Sequence, residues 1–270
     1  FIAGHLRIRV AATSVNPIDT KIRAGAVPAI APAFPAILHG DVAGVVDAVG
    51  EGVTGFQVGD RVYACAGGVK GVSGALADYM LADADLVAHA PASLSLEDAA
   101  ALPLVGITAW EATVTRGAVK PGQRVLVHGG TGGVGSLAVQ LAHSAGAIVA
   151  ATVSTPAKAE IARSLGADAV ILYREQTIPE YVQALTEGEG FDVVIDTVGG
   201  DNLAGSFQAA RSGGTVVTIA ARSTQDLTPC HSKGLTLHAV FMLLPLLTGK
   251  QRQRHRSEER RVGKECRYRW

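Results

Sequence analysis

Residues 125–142, Val-Leu-Val-His-Gly-Gly-Thr-Gly-Gly-Val-Gly-Ser-Leu-Ala-Val-Gln-Leu-Ala, pass from a short apolar run through a glycine cluster into a helical repeat with no residue between. Gly130, Gly132 and Gly135 hold the spacing GxGxxG. In such a turn the first glycine permits the reversal and the second lets the backbone approach a pyrophosphate. The third lets the helix lie close on the strand, and the helix N-terminus offers free N–H groups and a partial positive charge. The spacing alone is weak evidence. Its flanks supply the context, because 125–127 is apolar and β-branched, while Leu137, Ala138, Leu141 and Ala142 recur at helical spacing. Gly130, Thr131, Gly132, Gly133, Val134 and Gly135 are therefore candidate dinucleotide-binding residues, against the bland alternative of a glycine-rich loop that binds nothing.

Working outward, 148–153 reads as a second buried strand, 156–165 as a helix, 169–172 as a third strand and 178–186 as another helix. A fourth strand follows at 191–195 and a fifth at 215–219, with Gly166 where a helix C-cap glycine is expected. Strands alternating with helices predict an α/β fold with a doubly wound parallel sheet. Asp196-Thr197-Val198-Gly199-Gly200 closes the fourth strand at the carboxyl edge, where ligands of open α/β sheets bind. Thr197, Ile219 and Phe241 complete the candidate cofactor-binding set.

The end of the second strand bears on which nucleotide is bound. An NAD-preferring chain usually carries Asp or Glu there to accept from the ribose 2′-OH, and that carboxylate would repel a 2′-phosphate. This chain has Ser154-Thr155-Pro156-Ala157-Lys158 instead, with Tyr173-Arg174 ending the third strand. Hydroxyl donors and positive charge suit a phosphate, so Ser154, Lys158 and Tyr173 point to NADPH. The competing reading makes Ser154 and Thr155 helix caps and Lys158 a solvated charge.

The first hundred residues have a different texture. Short apolar segments (6–11, 42–49, 61–64, 78–81, 86–89) are separated by Gly and Pro clusters, which reads as an all-β module. The region 91–103 reads as the joint. The expected division is thus 1–98, 99–250 and a tail, 251–270.

Asn16-Pro17-Ile18-Asp19, His39-Gly40-Asp41-Val42-Ala43-Gly44, Val58-Gly59-Asp60-Arg61-Val62-Tyr63, Ala100-Ala101-Leu102-Pro103-Leu104 with Gly106-Ile107-Thr108-Ala109-Trp110, and the glycine loop occur in an order that resembles the medium-chain dehydrogenase/reductases. The resemblance is to their zinc-independent, quinone-oxidoreductase-like branch and covers about residues 1–250. It implies a GroES-like β-barrel domain, a Rossmann domain and a cofactor held in a cleft between them.

Catalytic zinc needs about three protein ligands and structural zinc about four cysteines. Zinc-dependent relatives place Cys where this chain has Asn16 and His where it has Gly40. His39 is one position away and reads as a structural or site-rim histidine. Cys65, Cys230 and Cys266 are scattered, so no metal is expected. Without a Lewis acid, reducing a simple ketone is difficult, whereas quinones and conjugated enones accept hydride to give delocalised anions that hydrogen-bond donors stabilise. The resemblance implies that Asn16 and Asp19 border the nicotinamide and that Thr108 helps hold its ribose. Tyr63 and Lys21 are candidates on the substrate side; many relatives have Tyr where this chain has Lys21, which leaves the proton donor open. Each also has an ordinary reading: Asn16 as a turn residue, Thr108 as a helix residue and Tyr63 as core. A cofactor-binding protein without turnover and a zinc-free alcohol dehydrogenase stay as alternatives.

Hydrophobic residues make up 48% of the chain, yet no apolar run approaches the roughly 18 to 20 residues of a membrane helix; the stretch 239–247 is short and contains Pro245. Zero net charge points away from nucleic acid and anionic membranes. No signal peptide is visible at Phe1, and three cysteines without evident pairing fit the cytoplasm. The expected partner is a small-molecule quinone or enone, with a homodimer left open. The chain starts without Met and reads as truncated. Residues 251–270 carry eight Lys/Arg and three Glu, and 256–266 resemble the in-frame translation of a sequencing-library adapter. That tail is expected to be an artefact, and the family's barrel-closing segment is expected to be missing.

Overall fold

The computed structural model describes residues 2–250 and divides them into two units, 2–107 with 242–250, and 108–241. The tail at 251–270 lies outside the described residues. The division falls within a helix at Ile107/Thr108 rather than near residue 98. Packing explains the shift: Ile107 is fully buried in the first unit's core, and Met242, Leu243 and Leu246 join the same cluster. After the second unit, residues 242–250 belong to the first unit again.

The first unit contains β1 (His5–Ala12), α1 (Pro17–Arg23), β2 (Asp41–Val49), β3 (Arg61–Cys65), β4 (Tyr79–Asp83), β5 (Ala88–His89), α2 (Leu96–Ala100) and most of α3 (Pro103–Trp110). The strands form one antiparallel sheet in the order β4-β1-β2-β3-β5. In β1 the buried Leu6 and Ile8 alternate with exposed Arg7 and Arg9, so one face enters the core with Val42, Val46, Val62 and Met80. At Gly44 a Cβ would lie 2.2 Å from the Arg9 carbonyl, so only glycine lets β2 approach β1 so closely.

The second unit opens with a π-helical segment, Glu111–Arg116. It then alternates β6 (Arg124–His128), α4 (Gly133–Ser144), β7 (Ile148–Val153), α5 (Pro156–Ser164), β8 (Ala169–Leu172), α6 (Ile178–Thr186), β9 (Phe191–Asp196), α7 (Asn202–Ala209), β10 (Ala210–Thr218), α8 (Thr228–Lys233) and β11 (Thr236–Ala239). After it, α9 (Leu244–Thr248) belongs to the first unit. The six strands are parallel in the order β11-β10-β9-β6-β7-β8. Strand order reverses between β6 and β9, which is the topological switch point of a doubly wound sheet.

Local chemistry sets the helix ends. The Thr155 hydroxyl accepts from the Lys158 N–H at 3.3 Å, with Pro156 opening α5. Thr177 and Glu180 form a capping box on α6, the Thr177 N–H donating to the Glu180 carboxylate at 2.7 Å. The Lys233 ammonium donates to the carbonyls of Phe207, Gln208 and Ala210 at 3.2, 2.7 and 2.8 Å, closing the C-terminal end of α7.

Candidate functional site

The glycine loop joins β6 to α4. Its left-handed residue is Gly129 (φ 72°), one position before the GxGxxG spacing, so the turn requirement falls there and not on Gly130. Gly130 is needed for a different reason, since a Cβ on it would meet the Ala151 Cβ on β7 at 2.6 Å. A Cβ on Gly135 would lie 2.1 Å from the Gly129 carbonyl oxygen, so this glycine lets α4 press onto the loop. Gly132 and Gly133 are exposed, and a Cβ on Gly132 would find nothing nearer than 3.3 Å. The open face of the turn is therefore glycine with no side chain filling it, a cradle that a pyrophosphate fits.

Hydrogen bonds from neighbouring strands hold the loop. The Gly129 N–H donates to the Thr152 hydroxyl at 3.0 Å and the Gly130 N–H to the Thr152 carbonyl at 3.1 Å, fastening the turn to β7. Across the switch point, the Thr197 hydroxyl donates to the His128 carbonyl at 2.6 Å. Asp196, fully buried, accepts from the Val198 and Gly199 N–H groups at 2.9 Å each, from the Asn202 amide at 3.0 Å and from the Ser206 hydroxyl at 3.2 Å. One carboxylate thus shapes the turn that presents Thr197.

His128 is buried at the end of β6, with Nδ1 3.4 Å from the Thr152 hydroxyl and Nε2 without a hydrogen-bond partner. Burial pushes its pKa below the usual histidine value, opposed in part by the nearby Asp196 carboxylate. Sequence reading missed His128, Thr152 and the anchoring role of Asp196. Only the Gly199-Gly200 pair after Asp196 hinted at a side-chain-stabilised turn.

The remaining cofactor-side candidates follow the carboxyl ends of successive strands: Ser154 after β7, Tyr173 after β8, Thr197 after β9, Ile219 after β10 and Phe241 beyond β11. Lys158 is exposed in the first turn of α5, Tyr173 is exposed, and Ser154 is half-buried. The capping reading holds for Thr155 and leaves the Lys158 ammonium on the surface. Thr108 is buried in the second half of α3.

In the first unit, Asn16 and Asp19 are each 5% exposed and meet at the start of α1, where the Asn16 N–H donates to the Asp19 carboxylate at 2.7 Å. Asp41, at the head of β2 and fully buried, was missed as a site residue. Its Oδ2 accepts from the Ser14 hydroxyl at 2.7 Å and the Asn16 amide at 2.8 Å, and its Oδ1 accepts from the Leu104 N–H at 3.0 Å. Burial raises the Asp41 pKa to about 6 despite these donors, and it also raises that of Asp19. His39 adopts a left-handed conformation (φ 69°) with Nδ1 3.5 Å from the Thr13 hydroxyl. The two substrate-side candidates are not drawn into this cluster. Lys21 is exposed on α1, and Tyr63 is buried in β3 between Ala43 and Ala88.

Zinc does not fit this donor set. The Asn16 amide is committed to Asp41 and to the Ser14 hydroxyl (3.1 Å). Gly40 brings no ligand, and a Cβ there would lie 3.1 Å from the Gly67 carbonyl and 3.2 Å from the Cys65 sulfur, a tight approach for any side chain.

A β-rich first unit and a switch-point glycine loop in the second define a two-unit nucleotide-dependent oxidoreductase fold. Comparison with known proteins agrees. Residues 2–92 match the family model "Alcohol dehydrogenase GroES-like domain" and residues 133–253 match "Zinc-binding dehydrogenase". Quinone oxidoreductase of Sus scrofa is 35% identical over 237 residues, covering 87% of this chain and 70% of the relative. The 2-haloacrylate reductase of a Burkholderia species is 40% identical over 214 residues, covering 78% and 63%. Among solved structures, an alcohol dehydrogenase superfamily protein from Novosphingobium aromaticivorans superposes with a TM-score of 0.94 at 41% identity, covering 97% of this chain and 78% of that one. Escherichia coli quinone oxidoreductase complexed with NADPH superposes at 0.85 with 30% identity, covering 97% and 79%. The chain belongs to the medium-chain dehydrogenase/reductase superfamily, in its quinone-oxidoreductase-like branch. It spans about two thirds of the length of the curated relatives it matches.

Proposed function

We propose that the chain is the cofactor- and substrate-binding portion of an NADPH-dependent oxidoreductase that delivers hydride to quinones or α,β-unsaturated carbonyls without a catalytic metal. The observation that carries this reading is the glycine cradle at Gly129–Gly135, fastened to β7 through Thr152 and to β9 through Thr197 at the switch point. Names of relatives support the acceptor class: one reduces quinones and another a 2-haloacrylate, which is a conjugated acid. NADPH in a solved relative supports the cofactor.

When bound, the nicotinamide would supply the hydride. The N–H groups of the loop and the first turn of α4 would hold the pyrophosphate, with Gly132 leaving the backbone bare. Ser154, Lys158 and Tyr173 would receive the 2′-phosphate end, where Lys158 brings the charge and Ser154 a hydroxyl donor. Ile219 and Phe241 would line the carboxyl edge beside Thr197. On the acceptor side Asn16, Asp19 and Thr108 would border the nicotinamide, with water completing protonation of the reduced product. Lys21 stays a candidate at the rim, whereas Tyr63, buried in its strand, would act through packing. Among the described residues no helix is long and apolar enough to cross a membrane. Cys65 and Cys230 are thiols rather than disulfides among the described residues, which supports placement in the reducing cytoplasm. A small molecule is the partner, with a homodimer open to sizing by light scattering.

Steady-state NADPH oxidation with a panel of quinones and conjugated enones tests the reading. Acceptor-dependent turnover is expected. NADPH binding without turnover would instead identify a cofactor-binding protein, and reduction of NADP by simple alcohols a zinc-free alcohol dehydrogenase.

A further inference from the structure

Asp41 receives donors from three stretches far apart in the chain. The Ser14 hydroxyl and Asn16 amide reach it from the segment before α1, the Leu104 N–H from the first turn of α3, and the Cys65 thiol from β3. Its own main-chain carbonyl accepts from the Thr13 hydroxyl at 2.6 Å. The carboxylate is fully buried, and the groups named as donating to it are neutral. Such a site costs desolvation energy that a plain structural role does not require, because an apolar residue could fill the same space. What the carboxylate provides is directional: it accepts from the Asn16 Nδ2, whose other contact is the Ser14 oxygen, so the orientation of the buried Asn16 amide is fixed. Through Leu104 it also caps the helix on which Thr108 lies one turn further on.

We propose that Asp41 is a positioning residue for hydride transfer, one buried carboxylate that sets both the Asn16 amide and the helix carrying Thr108. The inference rests on the reading of Asn16 and Thr108 as nicotinamide-side groups. Titratable groups around Asp41 are the Cys65 thiol on β3 in direct contact, Asp19 on α1 behind Asn16, and His39 behind Thr13. On the neighbouring helices, α2 carries Glu97 and Asp98 on exposed positions and α3 carries none. Burial places the ionisation of Asp41 at about 6, so its loss of charge falls within a measurable range.

The test follows the Asn16 side-chain amide resonances by NMR between pH 5 and 8, together with NADPH affinity by fluorescence and quinone turnover, in the wild-type chain, Asp41→Asn, Ser14→Ala and Asn16→Ala. In the wild type the Asn16 signal and kcat should share an inflection near pH 6. Ser14→Ala removes a donor that favours the charged form and should move both inflections up by about one pH unit. Asp41→Asn should abolish the inflection and lower kcat about tenfold to a hundredfold while leaving the NADPH dissociation constant within about twofold. If the Asn16 resonances are flat with pH, or Ser14→Ala leaves the inflection in place, the positioning role is wrong; this decides the matter even if Asp41→Asn fails to fold. Loss of turnover in Asn16→Ala with normal turnover in Asp41→Asn would overturn this inference alone. Normal turnover in Asn16→Ala would overturn the reading beneath it.

Discussion

Asp41 and Lys158 mark two extremes of what a charged side chain does here. Lys158 is exposed and its charge is available to a ligand. Hydrogen bonds to charged groups contribute roughly 1.5 to 3 kcal/mol, so Lys158→Ala should weaken NADPH binding about tenfold to a hundredfold and leave NADH nearly untouched. Fluorescence titration with both cofactors checks this; equal losses would show that the 2′-phosphate is held elsewhere. Asp41 is the opposite case, a carboxylate whose folded-state pKa is raised from 3.8 to about 6 by burial. The native state then binds more protons than the unfolded chain across that window, so this group's contribution is fully favourable below about 4 and is lost as pH rises through 6. The loss is about 3 kcal/mol, from the size of the shift. Urea unfolding of Asp41→Asn, compared with the wild type, should therefore show the variant gaining relative stability from pH 4 to 6.5. A constant difference across that range would argue against a buried ionising carboxylate. His128 works in the other direction, since its depressed pKa contributes stability above the ordinary histidine value that fades as pH falls. None of the Asp41 contacts could be read from sequence, because its partners lie from 24 (Cys65, 65 − 41) to 63 residues away and no local pattern marks them.

At the scale of elements, the parallel sheet was legible because strands buried on both faces are predominantly apolar, as 125–127, 148–153 (interrupted by Thr152) and 191–195 (interrupted by Asp192) are. Strand β11 was not. At the sheet edge its Thr236, Leu237 and Ala239 are exposed, so it carries no buried-strand signature. The glycine loop was legible as a motif but not in its division of labour, since Gly129 takes the left-handed turn and Gly130 the contact with β7. That division separates two variants. Gly135→Ala would drive a methyl into the Gly129 carbonyl and should cost at least about 1 to 3 kcal/mol of stability along with cofactor binding. Gly132→Ala has an extended backbone and its nearest neighbour at 3.3 Å, so its melting temperature should stay within a few degrees while NADPH affinity drops. Calorimetry and titration on the two proteins check the pair; matching effects in both would refute the assignment of Gly132 to the ligand face.

For the whole molecule, a metal-free mechanism predicts that elemental analysis finds no stoichiometric zinc and that prolonged chelation leaves turnover intact. Activity lost to a chelator and restored by zinc would overturn that reading, despite Asn16 and Gly40 standing where ligands would be needed. The first core also depends on chain that arrives late. Met242 and Leu246 are nearly fully buried with Leu6, Ile8 and Val62, so Leu246→Ala should cost about 2 to 5 kcal/mol of the first unit's stability, measured by urea unfolding. In sequence the second unit, 108–241, sits wholly inside the first. On a ribosome, residues 2–107 therefore emerge before 108–241 and wait for that whole unit before Met242 and Leu246 of their core exist. The nascent first unit spends that interval with an unfinished apolar surface, so it is this unit, and not the one carrying the glycine loop, that would engage chaperones during synthesis.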